Sequence, residues 1–246
     1  MAITARIPYP CPICKNTRPL YLHNDDYVCF ECRDRLRNAM KITIGINGFG
    51  NWEKFTYPCI RSIEKHEPDA RVLVIDNHSD PPYPKDDFAQ IVRVPQTSYA
   101  GMMNLVVQLS PSDWYFILNN DTTCTGEFLH LFEDFKPENN YGSRILKDEQ
   151  GRRFIETWMI IFSQQSYDKI GAWDEKFLAC GFEDADWGFR AEKVGVGQVK
   201  LDGFPFRHCV GDQAGTRWLT PNYGAQRGLN KDYCIEKHGH IGEIGA

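Results

Sequence analysis

The sequence predicts an α/β fold with a mostly parallel, mixed sheet flanked by helices, preceded by a small separate segment. Two observations predict this. From residue 41 onward, apolar runs of strand length alternate with segments of helical periodicity, and strands that alternate with helices form largely parallel sheets. Before residue 41, four of the nine cysteines stand as two Cys-x-x-Cys pairs, a spacing typical of a structural zinc site.

Composition and charge narrow the class of protein. Hydrophobic residues make up 42% and charged residues 25% of the 246 residues, close to the averages for globular proteins, which argues against disorder. The net charge of −5 argues against a strongly basic nucleic-acid coat protein. No apolar run reaches about 18 residues, and the first residues lack the apolar centre of a signal peptide. We therefore expect a cytoplasmic protein without a membrane span.

Residues 1–40 are predicted to form a zinc ribbon. Each Cys-x-x-Cys turn points two thiolates at one cation, and a hairpin between the pairs completes a tetrahedral site. The intervening segment has a turn-prone centre at Asn24-Asp25-Asp26. A redox role would need only one such pair, and His23 is a candidate to replace a thiolate. The predicted Zn2+ ligands are Cys11, Cys14, Cys29 and Cys32.

Two other features of the cysteine and arginine distribution carry weaker predictions. Arg33, Arg35 and Arg37 could contact the phosphates of a nucleic acid, or could equally be the solvated face of a short helix. Free cysteines commonly behave as small buried hydrophobes. We interpret the remaining five in that way: Cys59, Cys124, Cys180, Cys209 and Cys234.

Four strands and two helices are predicted in the first half of the body. The strands are 41–46, 71–75, 90–94 and 114–118, and the helices run to about Lys65 and over 101–109. Polar clusters follow strands one, two and four, at Asn47–Asn51, Asp76–Asp80 and Asn119–Asp121. Because ligands bind at the carboxyl ends of parallel strands, we expect the functional site there.

Several motifs in this body occur in the order typical of one enzyme family. They are Asp76-Asn-His-Ser-Asp, Tyr99-Ala-Gly-Met-Met-Asn104, Asn-Asn-Asp121, Ile170-Gly-Ala-Trp-Asp-Glu and Gly181-Phe-Glu-Asp-Ala-Asp-Trp-Gly-Phe-Arg190. From about Ile42 to Gly211, the chain resembles the family 2 glycosyltransferases of GT-A fold, which transfer a sugar from a nucleotide-sugar donor. The resemblance implies a GT-A domain over residues 41–246.

A divalent metal site is implied by this resemblance. Mn2+ or Mg2+ would neutralise the charge of a nucleoside diphosphate leaving group. Asp121 stands at the family's DxD position, although Asn119 and Asn120 occupy places where the family often has another acid. His208 matches a late histidine that completes the metal site in related enzymes. The alternatives are a helix N-cap for Asp121 and a satisfied core histidine for His208.

The resemblance also implies the residues that bind the donor nucleotide. Asp76 would accept hydrogen bonds from uracil or ribose, which favours a UDP-sugar; the alternative is an Asx-turn with Ser79 or Asp80. Free N–H groups at the start of the helix from Gly101 would lie near the pyrophosphate. The implied donor-binding set is Asn47, Asp76, Gly101, Asn104 and Asn120.

Three acids stand before a predicted amphipathic helix that begins near Trp187. Inverting transfer needs a base that deprotonates the acceptor hydroxyl, and the resemblance assigns this role to Asp184. Glu183 would position the acceptor or hold the sugar hydroxyls. Asp186 could be a charge favoured by the helix dipole, which is also the simplest explanation of all three acids.

The acceptor is the least defined part of the prediction. The segment from about residue 212 is rich in aromatic and basic residues, and in the family this region often covers the acceptor. Candidate acceptors are a saccharide, a protein or hydroxymethylated DNA. The competing functions are an inactive GT-A and zinc-ribbon scaffold that binds nucleic acid, and a nucleotidyltransferase. The latter usually has a basic residue after strand one, and Asn47–Asn51 has none.

Overall fold

The structure is a computed structural model that describes residues 20–23, 26–29, 41–147, 153–208 and 222–241. Its first element is an antiparallel pair of strands, β1 (Leu20–His23) and β2 (Asp26–Cys29). This pairing is the hairpin expected between the two cysteine pairs, and Cys29 is the last residue of β2. The other predicted zinc ligands lie outside the described residues, as do Cys209 and the arginines at 33, 35 and 37.

The zinc site therefore stays a prediction, with a direct test. We expect one zinc ion per chain in protein purified without chelator, since a segment this short has little core of its own and would depend on the metal to fold. Elemental analysis measures the stoichiometry. Replacing Cys29 with serine should abolish it, whereas replacing the buried Cys234 should not. Zinc-free native protein would refute the ribbon.

The body is built on one large sheet. In chain order its strands are β3 (Ile42–Gly48), β4 (Arg71–Asn77), β5 (Ala89–Val94), β6 (Trp114–Asn119), β8 (Asn140–Lys147), β9 (Arg153–Ser163) and β10 (Gly197–Lys200). Across the sheet they lie in the order β10-β8-β9-β6-β3-β4-β5. A separate antiparallel ribbon joins β7 (Thr122–Cys124) to β11 (Phe206–His208).

Four of the six pairings in the large sheet are parallel, and the other two belong to β9, which is antiparallel to both of its neighbours. The prediction of a mostly parallel, mixed sheet is thereby confirmed. The four predicted strands correspond to β3–β6. The carboxyl ends of β3, β4 and β6 meet at one edge, where polar residues follow each strand.

The helices cover both faces of the sheet. They are α1 (Tyr57–His66), α2 (Tyr99–Leu109), α3 (Gln164–Ile170), α4 (Glu183–Lys193) and α5 (Tyr223–His238), with a π-helical turn at Trp52–Thr56 and a 3-10 turn at Leu129–Asp134. Two predicted starts were wrong by a few residues. Helix α2 begins at Tyr99 because Ser98 caps it, and α4 begins at Glu183, so that the three acids lie in its first turn. No helix among the described residues is both long and apolar enough for a membrane span.

The core forms two apolar layers, one on each face of the sheet. On the face covered by α2 and α4, Trp173 and Trp187 stack with ring centroids 4.7 Å apart, and both are buried. Stacked aromatic pairs contribute more to stability than the burial of their surface area alone. This packing fixes α4 against the sheet, which sets the position of the acids at the start of the helix.

Candidate active site

A cleft of about 210 Å³ opens at the edge where the parallel strands end. Among the residues that line it are six of the nine that were predicted to bind donor or metal or to act in catalysis. These six are Asn47, Asn120, Asp121, Glu183, Asp184 and His208. The cleft therefore gathers residues from β3, the turn after β6, the start of α4 and the end of β11.

Asp121 and His208 meet because of the β7–β11 ribbon. Thr122, the residue after Asp121, pairs with His208 in that ribbon, and His208 Nε2 lies 3.2 Å from Asp121 Oδ1. The imidazole stacks on the indole of Trp158 at 4.7 Å, with only 3° between the ring planes. The stacking fixes the orientation of the His208 ring, with Nε2 directed at the Asp121 carboxylate.

Asp121 and His208 could supply two ligands of a metal site. Although Asp121 Oδ1 and His208 Nε2 are close, neither makes a hydrogen bond within the described part of the chain, and both atoms are buried. Leaving buried polar atoms unpaired is costly unless a ligand or ion satisfies them. A carboxylate oxygen and a neutral imidazole nitrogen are common donors to divalent cations. No cluster of three or more His, Cys, Asp or Glu residues suited to a metal occurs among the described residues.

Asn47 offers a third unsatisfied atom in the same cleft. Its amide nitrogen donates to Met103 Sδ at 3.2 Å, which fixes the rotamer. Its Oδ1 is buried and, within the described chain, has no partner. A buried acceptor aimed at a cleft suits an N–H or O–H donor on a ligand.

A hydrogen-bond chain fixes the turn that carries Asp121. Asn120 Nδ2 donates to Thr56 Oγ1 at 2.9 Å, and Thr56 Oγ1 donates to Tyr83 Oη, also at 2.9 Å. Tyr83 in turn donates to the carbonyl of Gly50 at 2.7 Å. Its ring packs on Gly48, where a Cβ would stand 2.6 Å from it. Asn120 lines the cleft, but its amide nitrogen is engaged in holding the β6 end to the Gly48–Gly50 loop.

Glu183 and Asp184 face the cleft from the first turn of α4. The chain enters the helix through two residues with positive φ, Gly181 (109°) and Phe182 (71°). The Gly181 N–H donates to Glu183 Oε2, and the Ala185 N–H donates to Asp184 Oδ1 at 2.8 Å. Removal from water raises the pKa of Glu183, and the charge of Asp184 raises it further. Removal from water and the charge of Glu156 raise the pKa of Asp184 to about 6.

This shift predicts where Asp184 titrates. A raised pKa means that the carboxyl group takes up its proton as the pH falls through about 6, instead of only near its ordinary value of 3.8. Above that pH the group is ionised and can accept a proton. We expect the Asp184 carboxyl carbon to titrate with a midpoint near pH 6 in carbon-13 NMR, with Asp184→Asn assigning the signal. A midpoint near pH 4 would contradict the described environment.

Asp76 does not line the cleft. Its carboxylate is fully buried and accepts from the backbone N–H groups of Ser79 (2.9 Å) and Tyr83 (3.2 Å), and from Arg93 at 3.0 Å. The bond to Ser79 is the Asx-type turn considered as an alternative. Since Ser79 and Tyr83 both hydrogen-bond to Gly50, Asp76 organises the loop that supports the cleft edge.

Asn104 and Gly101 also lie away from the cleft. The Asn104 amide donates to Trp173 O and Glu175 Oε1 and accepts from Trp173 N and Tyr167 Oη. It is thus used inside the protein to hold the segment before α4. The Gly101 N–H is occupied by the Ser98 cap at 3.1 Å, and a Cβ there would stand 2.2 Å from Thr97 Oγ1. At both positions contacts within the protein explain the residue type: hydrogen bonds at Asn104 and close packing at Gly101.

Asp186 is separated from its two acidic neighbours. It is fully buried and is paired with Arg190 on its own helix and with Lys237 and His238 on α5, at 2.6–2.9 Å. It ties α5 to α4, which is a structural role beyond the helix-dipole interpretation.

A second contact between α5 and the cleft wall is made by Asn230. Its amide accepts from the Leu178 N–H and donates to the carbonyls of Leu178 and Gly181, at 2.7–2.9 Å. The side chain is 1% exposed. These bonds fix the segment that leads into Glu183.

We expect Asn230→Ala to lower the free energy of unfolding by about 2–4 kcal/mol, because buried backbone groups would lose their partners. Urea denaturation monitored by circular dichroism measures the change. Lys231→Ala, at the exposed neighbouring position, is the control and should change stability by less than about 0.5 kcal/mol. Equal stability of the two variants would show that the Asn230 bonds are dispensable.

Several residues of the cleft were not identified from the sequence. They are Glu156, Thr157, Trp158 and Cys180, whereas Phe49, Tyr99, Met102 and Tyr223 lie in segments that the sequence singled out without assigning a role to these four side chains. Three of the cysteines interpreted as buried hydrophobes are buried, namely Cys59, Cys124 and Cys234, but Cys180 is partly exposed and lines the cleft. No turn-forming cluster or catalytic motif surrounds Glu156 and Trp158 in sequence, since both lie within strand β9.

Comparison with known proteins supports the fold. No protein-family model and no curated protein sequence matches this chain. Among solved structures, it is similar to GalNAc-T7 with UDP, GalNAc and Mn2+, with 10% identity and a TM-score of 0.57 over 80% of this chain and 50% of that one. It is also similar to TarS of S. aureus, with 13% identity and a TM-score of 0.50 over 70% of this chain and 37% of that one. The chain thus matches half or less of each neighbour's length. The likeness shows the fold, an α/β arrangement shared with GT-A glycosyltransferases.

Proposed function

We propose that this protein is a metal-dependent glycosyltransferase that moves a sugar from a UDP-sugar to an acceptor hydroxyl with inversion. One observation carries the proposal: a buried, unsatisfied pair, Asp121 Oδ1 and His208 Nε2, shares a single cleft with the carboxyl groups of Glu183 and Asp184. The Asp121–His208 pair suits a metal ion at the charged leaving group, and the two carboxyl groups suit the acceptor. A structural neighbour that contains UDP and Mn2+ supports the donor and the ion.

The donor side is assigned to the strand ends. Asp121 and His208 would hold Mn2+ or Mg2+, which acts as a Lewis acid that neutralises the diphosphate leaving group. Asn47 Oδ1 is available to accept from the donor nucleotide. Asn120 keeps the Asp121 turn in place through Thr56. Asp76, Gly101 and Asn104 support this side from behind, because their polar groups are already engaged within the protein.

The acceptor side is assigned to the start of α4. Asp184 would take the proton from the acceptor hydroxyl as it attacks the anomeric carbon, opposite the departing diphosphate. Its raised pKa suits a base that works near neutral pH. Glu183, buried and held by the Gly181 N–H, would hold hydroxyl groups of the sugar or the acceptor. A saccharide, a protein and hydroxymethylated DNA remain the candidate acceptors, and much of the segment proposed to cover them, residues 212–221, lies outside the described residues.

The test is UDP release from a panel of UDP-sugars, with and without Mn2+. We expect release from one or more donors, dependent on the metal and accelerated by the right acceptor class. UDP binding without any turnover would favour an inactive scaffold. Pyrophosphate release from a nucleoside triphosphate and a sugar phosphate would favour a nucleotidyltransferase. Absence of metal-dependent UDP binding would overturn the proposal.

A further inference from the structure

Glu156 occupies a wall of the cleft that the proposed mechanism has not used. Strand β9 pairs with β6 so that Met159 lies opposite Leu118, and residues 156–158 therefore continue past the end of β6 along the cleft. All three line it. Tyr99 Oη lies within hydrogen-bond distance of both the Thr157 carbonyl (3.0 Å) and Asn119 Oδ1 (2.8 Å), and its one proton links the ends of β6 and β9 at this point.

The Glu156 carboxylate is fixed relative to the proposed metal ligands. Its Oε2 accepts from Trp158 Nε1 at 2.8 Å, and the same indole stacks on His208. The charge of Glu156 also raises the pKa of Asp184, which indicates that the two carboxyl groups interact. Glu156 is thus linked to His208 through Trp158 and to Asp184 through its charge.

The charge of the cleft is strongly one-sided. Four acids line it, Asp121, Glu156, Glu183 and Asp184, and His208 is the one basic side chain among the described residues that do so. Two arginines lie nearby without lining the cleft. The guanidinium of Arg227 is 4.9 Å from the ring centre of Phe182, and that of Arg144, which pairs with Glu156 across β8 and β9, is 5.5 Å from the ring centre of Trp158. If Asp121 is neutralised by a divalent ion, Glu156, Glu183 and Asp184 remain as the acids of the cleft, and burial raises the pKa of the last two.

We propose that Glu156 is a specificity-determining residue that selects an uncharged, hydroxyl-rich donor sugar and rejects a uronic acid. This inference rests on the proposed function, which puts the transferred sugar between Asp121 and Asp184. Sugar hydroxyls donate to carboxylates in strong, charge-assisted hydrogen bonds. A uronate carboxylate in the same space would be repelled by like charge and would also lose its hydration. Because placing like charges next to each other is strongly unfavourable, the uronate should bind more weakly.

The test compares donors that differ only in this charge. The probes are UDP-glucose with UDP-glucuronate, and UDP-galactose with UDP-galacturonate, each titrated into the full chain with Mn2+ by calorimetry, with UDP as the reference. We expect the uronate of each pair to bind at least about 10-fold more weakly than the neutral sugar. Glu156→Gln should narrow that ratio several-fold and leave the affinity for UDP unchanged, since the glutamine oxygen can still accept from Trp158. Glu192→Gln, which removes an exposed charge on α4 away from the cleft, is the matched control and should keep the native ratio.

The outcomes separate this inference from the proposed function. Equal affinities within each pair, or a Glu156→Gln ratio equal to the native one, would overturn the role of Glu156 while leaving the glycosyltransferase proposal in place. Failure of UDP itself to bind with Mn2+ would overturn both. Thermal unfolding of each variant checks that the fold is intact.

Discussion

Replacing Asp184 with asparagine should lower turnover by about 10²–10⁴-fold, the usual contribution of a positioned general base, and leave the affinity for UDP unchanged. Asparagine keeps the shape of the side chain and can still accept from the Ala185 N–H that fixes Asp184. It removes the negative charge and, with it, the basicity. Because Asp184 lies on α4, and the proposed metal ligands follow β6 and end β11, the donor nucleotide should not sense the change.

Steady-state rates and calorimetry on the same preparations separate the two effects. Asp69→Asn is a matched control, because Asp69 is exposed in the turn after α1 and should retain native turnover. If Asp184→Asn lost UDP affinity and kept near-native turnover at saturating donor, Asp184 would belong to the donor site. Glu183 would then be the next candidate base. Asp186 would not, since it is fully buried, paired with Arg190 and Lys237 and hydrogen-bonded to His238.

Replacing Asp121 with asparagine should weaken UDP binding in Mn2+ by at least about 10–100-fold, the cost typical of disturbing even the outer partners of a metal site. The reason is the loss of the one carboxylate that faces His208 Nε2 at 3.2 Å. In the presence of a chelator, the native protein and the variant should bind UDP equally. His208→Gln should behave in the same direction. Unchanged metal dependence in both variants would move the metal site elsewhere.

The first half of the fold could be predicted from the sequence because its signals are local. Strands β3, β4, β5 and β6 are short runs with apolar centres, three of them (β3, β4 and β6) end in polar clusters, and a parallel arrangement brings those ends to one edge. Strand β9 was not predicted. Its position as an antiparallel strand between β6 and β8 depends on long-range pairing, which no local residue pattern specifies.

The candidate site was predictable where a motif fixes a strand end or a helix start. Asp121, Glu183 and Asp184 line the cleft for that reason. Asp76 and Asn104 fit motifs equally well, yet their polar atoms are satisfied by Ser79, Arg93, Trp173 and other neighbours. Residue type and spacing indicate that a polar group is needed at such a position. Only the folded arrangement shows whether its partner is a ligand or the protein itself.

The proposed function requires Asp121 and His208 to hold a divalent cation at the UDP diphosphate. A crystal structure of the protein with UDP and Mn2+, with anomalous data collected at the manganese edge, tests it directly. We expect one manganese peak in contact with Asp121 Oδ1, His208 Nε2 and the diphosphate of UDP. Asp184 should lie on the far side of the cleft from the nucleotide. A manganese ion held by Glu183 and Asp184 would contradict it, as would UDP bound without metal while Asp121 and His208 hydrogen-bond to each other.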